Sequence, residues 1–192
     1  EGEAKVLFYQ RKSKSLDGKH ARANYVHPLY DLDGGVVTDD FPADHLHHRG
    51  IFWAWHQLYV GEKTAGDPWF AKEVLSHVTE VEIDLGATDS VVLRSKVLWK
   101  SPHWKDDAGN EKPIVEEVTA IRVHRAEKGS RKIDFEINLK ALEKDVRIGG
   151  SEDAKGYGGF STRIKLPEDI QFTGSNGSMT PKRTAVDGGP WM

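Results

Sequence analysis

Cysteine is absent from the 192 residues. Disulfides and thiolate chemistry are therefore excluded, and any metal would have to be held by His, Asp and Glu. No apolar run approaches the roughly 20 residues that a helix needs to cross a bilayer, so no membrane span is expected. A surplus of charge is missing too: 27 Lys and Arg stand against 30 Asp and Glu, a formal net charge of -3. That argues against a nucleic-acid partner, which needs clustered basic surface. The nearest basic cluster, Arg11 to Lys14 (RKSK), reads as a solvated loop. Internal repeats and low-complexity segments are also lacking, and helical periodicity is almost so; only Asp67 to Leu75 hints at a helical turn.

What is present is period-two alternation. In Arg131 to Lys140, Ile133, Phe135, Ile137 and Leu139 share one face and Asp134, Glu136, Asn138 and Lys140 the other. Further strands are expected at residues 73–85, 90–99, 114–124, 145–148, 159–166 and 169–173. Turn signals separate them at Asp31 to Gly35, Asp106 to Asn110, Glu127 to Ser130 and Gly174 to Ser178. Several strands at such spacing, with 38% hydrophobic and 30% charged residues, predict an all-β fold, an antiparallel β-sandwich, as one domain over residues 1–192. The chain closes on Asp187 to Met192 (DGGPWM), which reads as a turn entering another strand. The expectation is that the natural chain continues and that this domain lacks a C-terminal portion.

The densest chemistry lies in Asp39 to Gln57, DDFPADHLHHRGIFWAWHQ, which holds four of the nine histidines and two of the six tryptophans. Three readings compete. In a metal site, His45 and His47 would point the same way along an extended chain, with Asp44, His27 or a distant Glu as third ligand. In an acid/base site, His47 or His48 exchanges protons near neutrality. Arg49 then holds hydroxyls or an oxyanion, and Trp53 and Trp55 form a stacking floor for a sugar. In a structural knot, the tryptophans are core and Arg49 pins a loop.

A second constellation, Ser151 to Arg163 (SEDAKGYGGFSTR), offers a glycine loop that brings Lys155 to a ligand, with Arg163 after it. Glu116 and Glu117 stand side by side on a strand, so alternation sends one of them inward as a candidate carboxylate base.

Several blocks carry a family resemblance: YVHPLY (Tyr25 to Tyr30), VVTDDFPADHLHHRGIFWAWHQ (Val36 to Gln57), KGYGGFSTRIKLP (Lys155 to Pro167), FTGSNG (Phe172 to Gly177) and GPWM (Gly189 to Met192). In this order they resemble the bacterial PmoA-like family, catalogued under a "methane oxygenase" label. The resemblance implies a galactose-mutarotase-like β-supersandwich and a pattern continuing past Met192. It also implies sugar-degrading bacteria and a periplasmic or secreted location. Such folds place a His acid and a carboxylate base in a sugar cleft.

The expected function is thus carbohydrate-active, with a small-molecule or oligosaccharide ligand. The catalytic candidates are His47, His48, Arg49, Glu116 (or Glu117) and Lys155. The substrate-binding candidates are His27, His45, Trp53, Trp55 and Arg163. Epimerase, lyase and hydrolase chemistry are all open. No cofactor is expected; the alternative is a divalent transition metal on His45, His47 and Asp44. A non-catalytic carbohydrate-binding module is the other alternative.

Overall fold

The structure, a computed structural model, describes residues 4–182; the GPWM block and the strand expected beyond it lie outside the described residues. Every regular element among them is a β-strand, and all the strand pairings are antiparallel.

One four-stranded sheet runs β1 (Leu7–Tyr9), β4 (Val26–Leu29), β5 (Ile51–Trp55), β13 (Gly158–Thr162) in space. A second runs β11 (Ile133–Ala141), β10 (Glu111–His124), β9 (Ser90–Lys105), β8 (Leu75–Asp84). A third is β12 (Val146–Gly149), β6 (Gln57–Val60), β7 (Lys63–Gly66). Two hairpins complete the set, β2 (Lys14–Leu16) with β3 (Lys19–Arg22), and β14 (Phe172–Gly174) with β15 (Gly177–Met179).

The long β9–β10 hairpin is the backbone of the fold. Its turn is closed by Asp106, whose Oδ1 accepts the amides of Ala108 and Asn110 at 3.0 and 2.8 Å, the behaviour that makes Asp a turn residue. The inward face of this hairpin meets the other sheets in two apolar clusters. Towards one end, Ile121 packs with Tyr9, Val26 and Ile51 of the first sheet. Towards the other, Val97, Trp99, Ile114 and Val115 pack on Leu58, Val60 and Ala65 of the third. Each such side chain contributes about 1.5–3 kcal/mol by leaving water. β5 and β6 are nearly continuous in sequence and serve both clusters, with a bend at His56 between them.

Glu117 sits fully buried on the same inward face. Its Oε1 accepts from Trp53 Nε1 (2.8 Å), Thr119 Oγ1 (2.8 Å) and Asn24 Nδ2 (2.9 Å). Its Oε2 accepts from Trp99 Nε1 (2.9 Å) and again from Asn24 Nδ2 (3.0 Å). Asn24 is oriented in turn by Tyr9, whose hydroxyl donates to Asn24 Oδ1 at 2.6 Å. A carboxylate can be buried without a cation only when its lone pairs are filled in this way.

Residues 67–72 do not form the expected helical turn. Asp67 and Lys72 bridge to each other and the chain between them is a tight turn, as Asp followed by Pro favours.

Candidate functional site

The histidines are carried by turns rather than by a strand. The amide of His45 bonds to Pro42 O at 3.0 Å and that of His48 to His45 O at 2.9 Å. Two successive turns fold the segment onto itself, so the alternation expected for His45 and His47 does not apply. A turn brings residues i and i+3 together, and it is the His45 and His48 rings that stack, 4.8 Å apart and 12° from parallel. His47 meets both edge-on, at 5.8 and 4.6 Å.

The segment leaves this knot through Gly50, whose φ is +53°. A Cβ there would lie 2.1 Å from Val26 O. Only glycine permits that approach, and it sets the register of β4 on β5 through the Val26–Ile51 pair.

Aromatic walls enclose the imidazoles. Phe70, on the 67–72 turn, lies edge-on to His47 at 4.6 Å and to His56 at 5.0 Å. Trp69 stacks on His56 at 5.3 Å and meets His48 edge-on at 5.8 Å. Asp67 anchors this turn: Oδ1 accepts the Phe70 amide at 3.0 Å, and Oδ2 lies 2.9 Å from His56 Nδ1. That contact orients the His56 ring and leaves Nε2 for another partner.

The glycine loop reaches the same place. Tyr157 stacks on Trp69, 5.6 Å away and 9° from parallel, and Lys155 Nζ lies 5.5 Å from the Tyr157 ring. Arg163 Nη2 donates to Asp44 Oδ1 at 2.6 Å, while Asp44 Oδ2 lies 2.9 Å from His45 Nδ1. The two constellations read separately in the sequence therefore meet: Arg163 joins the histidine segment through Asp44 and His45, and the loop that carries Lys155 joins it through Tyr157 and Trp69.

Electrostatics sets the proton inventory. Burial, then the neighbouring His45 and Arg22, pushes the pKa of His47 down to about 4. Burial, then His47 and His45, does the same to His48. Both rings are neutral at pH 7 and can accept a proton or a hydrogen bond. His48 Nε2 is buried without a hydrogen-bond partner among the described residues. The hydrogen bonds from Arg163 and His45 hold the Asp44 carboxyl well below the usual carboxylate range.

Other expected site residues lie elsewhere. Arg49 is fully buried. It donates to Asp40, to Lys14 O (3.1 Å), to His20 O (2.8 Å) and to the Tyr25 hydroxyl, with its guanidinium 3.5 Å from the Phe41 ring centroid. This is the structural-knot reading, with Asp40 as the ionic partner. Burial raises the pKa of Asp40, but the hydrogen bonds from Arg49 and Lys14 outweigh it and hold the group ionised.

Trp53 and Trp55 do share a face, but it is the inward one: Trp53 is 3% exposed and serves Glu117, and Trp55 packs on Trp99 at 5.9 Å. Glu116 lies on the outer face of β10, 3.2 Å from Lys96 Nζ. The inward acid of the pair is Glu117, enclosed in the core. His27 hydrogen-bonds Thr38 Oγ1 at 3.0 Å through Nδ1, and burial lowers its pKa.

Sequence reasoning passed over Trp69, Phe70, Asp67 and Tyr157. The available signal was Asp67-Pro68-Trp69-Phe70, a turn opening that carries two aromatics where turns are ordinarily polar. For the metal alternative, no group of three His, Asp or Glu among the described residues is arranged to hold an ion. Nor is any helix among them long and apolar enough to cross a membrane.

Comparison with known proteins adds a family without an activity. One family model matches residues 1–192, and its description is a family of unknown function. No curated protein and no solved structure matches the chain.

Proposed function

The chain belongs to that family of unknown function, DUF6807, and we propose that this member is a carbohydrate-active protein whose sugar-binding cleft is the surface between the 42–48 turns, the 67–72 turn and the glycine loop. The observation that carries this reading is the convergence of neutral, half-buried imidazoles with exposed aromatic rings. Phe70 is 44% and Tyr157 40% exposed, so both can offer a face or edge to a sugar ring. His47, His48 and His56 supply hydrogen-bonding and proton-exchanging nitrogens beside them. Apolar surface with a few convergent polar groups is what orients a small ligand.

In this reading His56, oriented by Asp67, and the neutral His47 and His48 divide the acid/base work. Arg163 and Lys155 fix hydroxyls or a developing negative charge. The carboxylates of the site are Asp44 and Asp67, in place of Glu116 or Glu117. The resemblance to PmoA-like proteins and to mutarotase-like supersandwiches supports a sugar ligand, and a periplasmic or secreted location belongs to the same proposal.

A panel of mono- and oligosaccharides, including oxidised sugars, titrated by calorimetry and then assayed for turnover, tests the reading. A sugar that binds the wild type and loses at least tenfold in affinity in Phe70→Ala and Tyr157→Ala is expected. Turnover lost in a His47→Ala/His48→Ala double variant that keeps binding identifies an enzyme; binding without turnover in the wild type identifies a module. A bound sugar indifferent to Phe70 and Tyr157 would place the ligand elsewhere and end this assignment.

A further inference from the structure

The second sheet ends on β11, and nothing among the described residues pairs with its free edge. At the two ends of the β10–β11 ladder, the His124 amide bonds to Lys132 O (3.0 Å) and the Leu142 amide to Ile114 O (2.9 Å). Backbone direction alternates along an antiparallel strand. The even-numbered residues of β11 therefore bond to β10, and Ile133, Phe135, Ile137, Leu139 and Ala141 turn their N–H and C=O groups outwards. Such a row is a template for another strand.

The other sheet edges are protected against that use. The edge strands β1, β7, β12 and β13 are three to five residues long. β8 has ten residues, but its register shifts between Val78 and Glu80, and Glu80, Glu82 and Asp84 would repel a copy of themselves. β11 has neither device. Its nine residues pair with β10 without a shift, and the inward side chains of Ile133, Phe135, Ile137 and Leu139 are only half-buried. Phe160, 50% exposed and 5.1 Å from the Phe135 ring, extends this apolar strip.

The sequence of β11 is complementary to itself. Set antiparallel to a second copy about Ile137, Ile137 meets Ile137, Phe135 meets Leu139 and Ile133 meets Ala141, all through residues whose backbone groups are free. On the outer face Asp134 meets Lys140 and Glu136 meets Asn138, and two-fold symmetry supplies the Asp134–Lys140 contact twice. Lys140 is exposed and makes no ion pair among the described residues; Glu116, opposite it on β10, is held by Lys96 at 3.2 Å. Asp134 lies 2.8 Å from His124 Nε2 and 3.1 Å from Lys132 Nζ, and a carboxylate keeps lone pairs for a third donor. A slip of the centre to Glu136 would set that acid against its own copy. We infer that β11 is a dimerisation strand: two copies of this chain join edge to edge through Ile133–Ala141, and their four-stranded sheets become one. β11 shares no residue with the histidine surface, so the interface is independent of the sugar reading.

Sedimentation velocity of the whole chain from micromolar to millimolar concentration, with amide hydrogen exchange, is the test. A dimer is expected, in which the amides of Ile133, Phe135, Ile137, Leu139 and Ala141 are protected, whereas they exchange freely in the monomer. Asp134→Lys brings like charges together at both contacts, as does Lys140→Glu, and each should weaken dimerisation at least tenfold. Lys140→Glu breaks no ion pair of the monomer among the described residues, so its effect on association is not one on folding. An equimolar mixture of the two variants restores both opposite-charge contacts and should give a heterodimer at least tenfold tighter than either homodimer. A monomer at every concentration would overturn the inference. So would a dimer indifferent to both substitutions, a mixture that associates no better than its components, open polymers, or dimer-dependent protection on β8. Protection of the same β11 amides in the monomer would show that another segment of this chain covers the edge, and that too would overturn it.

Discussion

Tyr157 lies flat against Trp69, 5.6 Å between ring centroids and 9° from parallel. One ring belongs to the glycine loop and the other to the turn after β7, so this contact joins two segments far apart in the chain. Stacked aromatic pairs of this kind contribute about 0.5–1.5 kcal/mol beyond the area they bury. Tyr157→Ala should therefore lower stability by about 1 kcal/mol, measured by urea unfolding, while freeing the loop that carries Lys155. Tyr157→Phe keeps the ring and should leave stability within about 0.5 kcal/mol of wild type. A Tyr157→Phe protein as unstable as Tyr157→Ala would show that the hydroxyl, and not the stack, holds the loop.

The two depressed histidines make stability depend on pH with a definite sign. An unfolded imidazole titrates near 6.5, whereas His47 and His48 titrate near 4 in the folded chain. Between these values the unfolded chain binds more protons, so folding becomes less favourable as pH falls. The contribution is complete above about pH 6.5 and is lost progressively down to about pH 4. Melting temperature should drop across that window, before the well-paired Asp44 carboxylate begins to protonate. A His47→Gln/His48→Gln variant should show a flatter profile. An equally steep profile in that variant would assign the acid sensitivity to other groups.

Glu117 is the most consequential polar residue of the core. Replacing it with Gln removes one acceptor oxygen and sets an NH₂ against donors that already point inward from Trp53, Trp99, Asn24 and Thr119. Hydrogen bonds to a charged group contribute about 1.5–3 kcal/mol each, and orphaned buried donors cost more. Glu117→Gln should destabilise the protein by about 2–4 kcal/mol in chemical denaturation. Glu116→Gln, on the outer face beside Lys96, should cost less than about 1 kcal/mol. Equal effects at the two positions would contradict the burial of only one of them.

Arg49 ties β2, β3, Tyr25 and Asp40 into one unit. Lysine cannot reproduce a fork that serves several acceptors at once. Arg49→Lys should cost about 3 kcal/mol or more, as expected when a buried ion pair is broken from one side. It should also raise the hydrogen-exchange rates of the β2–β3 hairpin. If the loss appeared only in ligand binding, with an unchanged melting temperature, Arg49 would have to be returned to the site.

Much of the fold was legible along the chain. The alternation in Ile133 to Ala141 and in Glu117, Thr119 and Ile121 reports a half-buried sheet directly, because a strand sends successive side chains to opposite faces whatever it packs against. The turns at Asp106 and Asp31 were legible for the same local reason: their side chains bond to amides two and four residues on. The histidine-rich segment near 39–57 was legible as such, and the structure packs His45, His47 and His48 against one another.

Which face each residue took was not legible there. Alternation says that Trp53 and Trp55 share a side, but only the sheet packed against β5 decides that this side is the core. Alternation separates Glu116 from Glu117 equally well, and the opposing strand alone selects Glu117 for burial. The histidine segment departs from strand periodicity because two turn hydrogen bonds, His45 to Pro42 and His48 to His45, outweigh extension locally. Its neighbours come from loops far away in the chain. Local preferences reach only a few residues, so Trp69, Tyr157 and Arg163 could be assigned to His48, His56 and Asp44 only by the packing of the folded sheets.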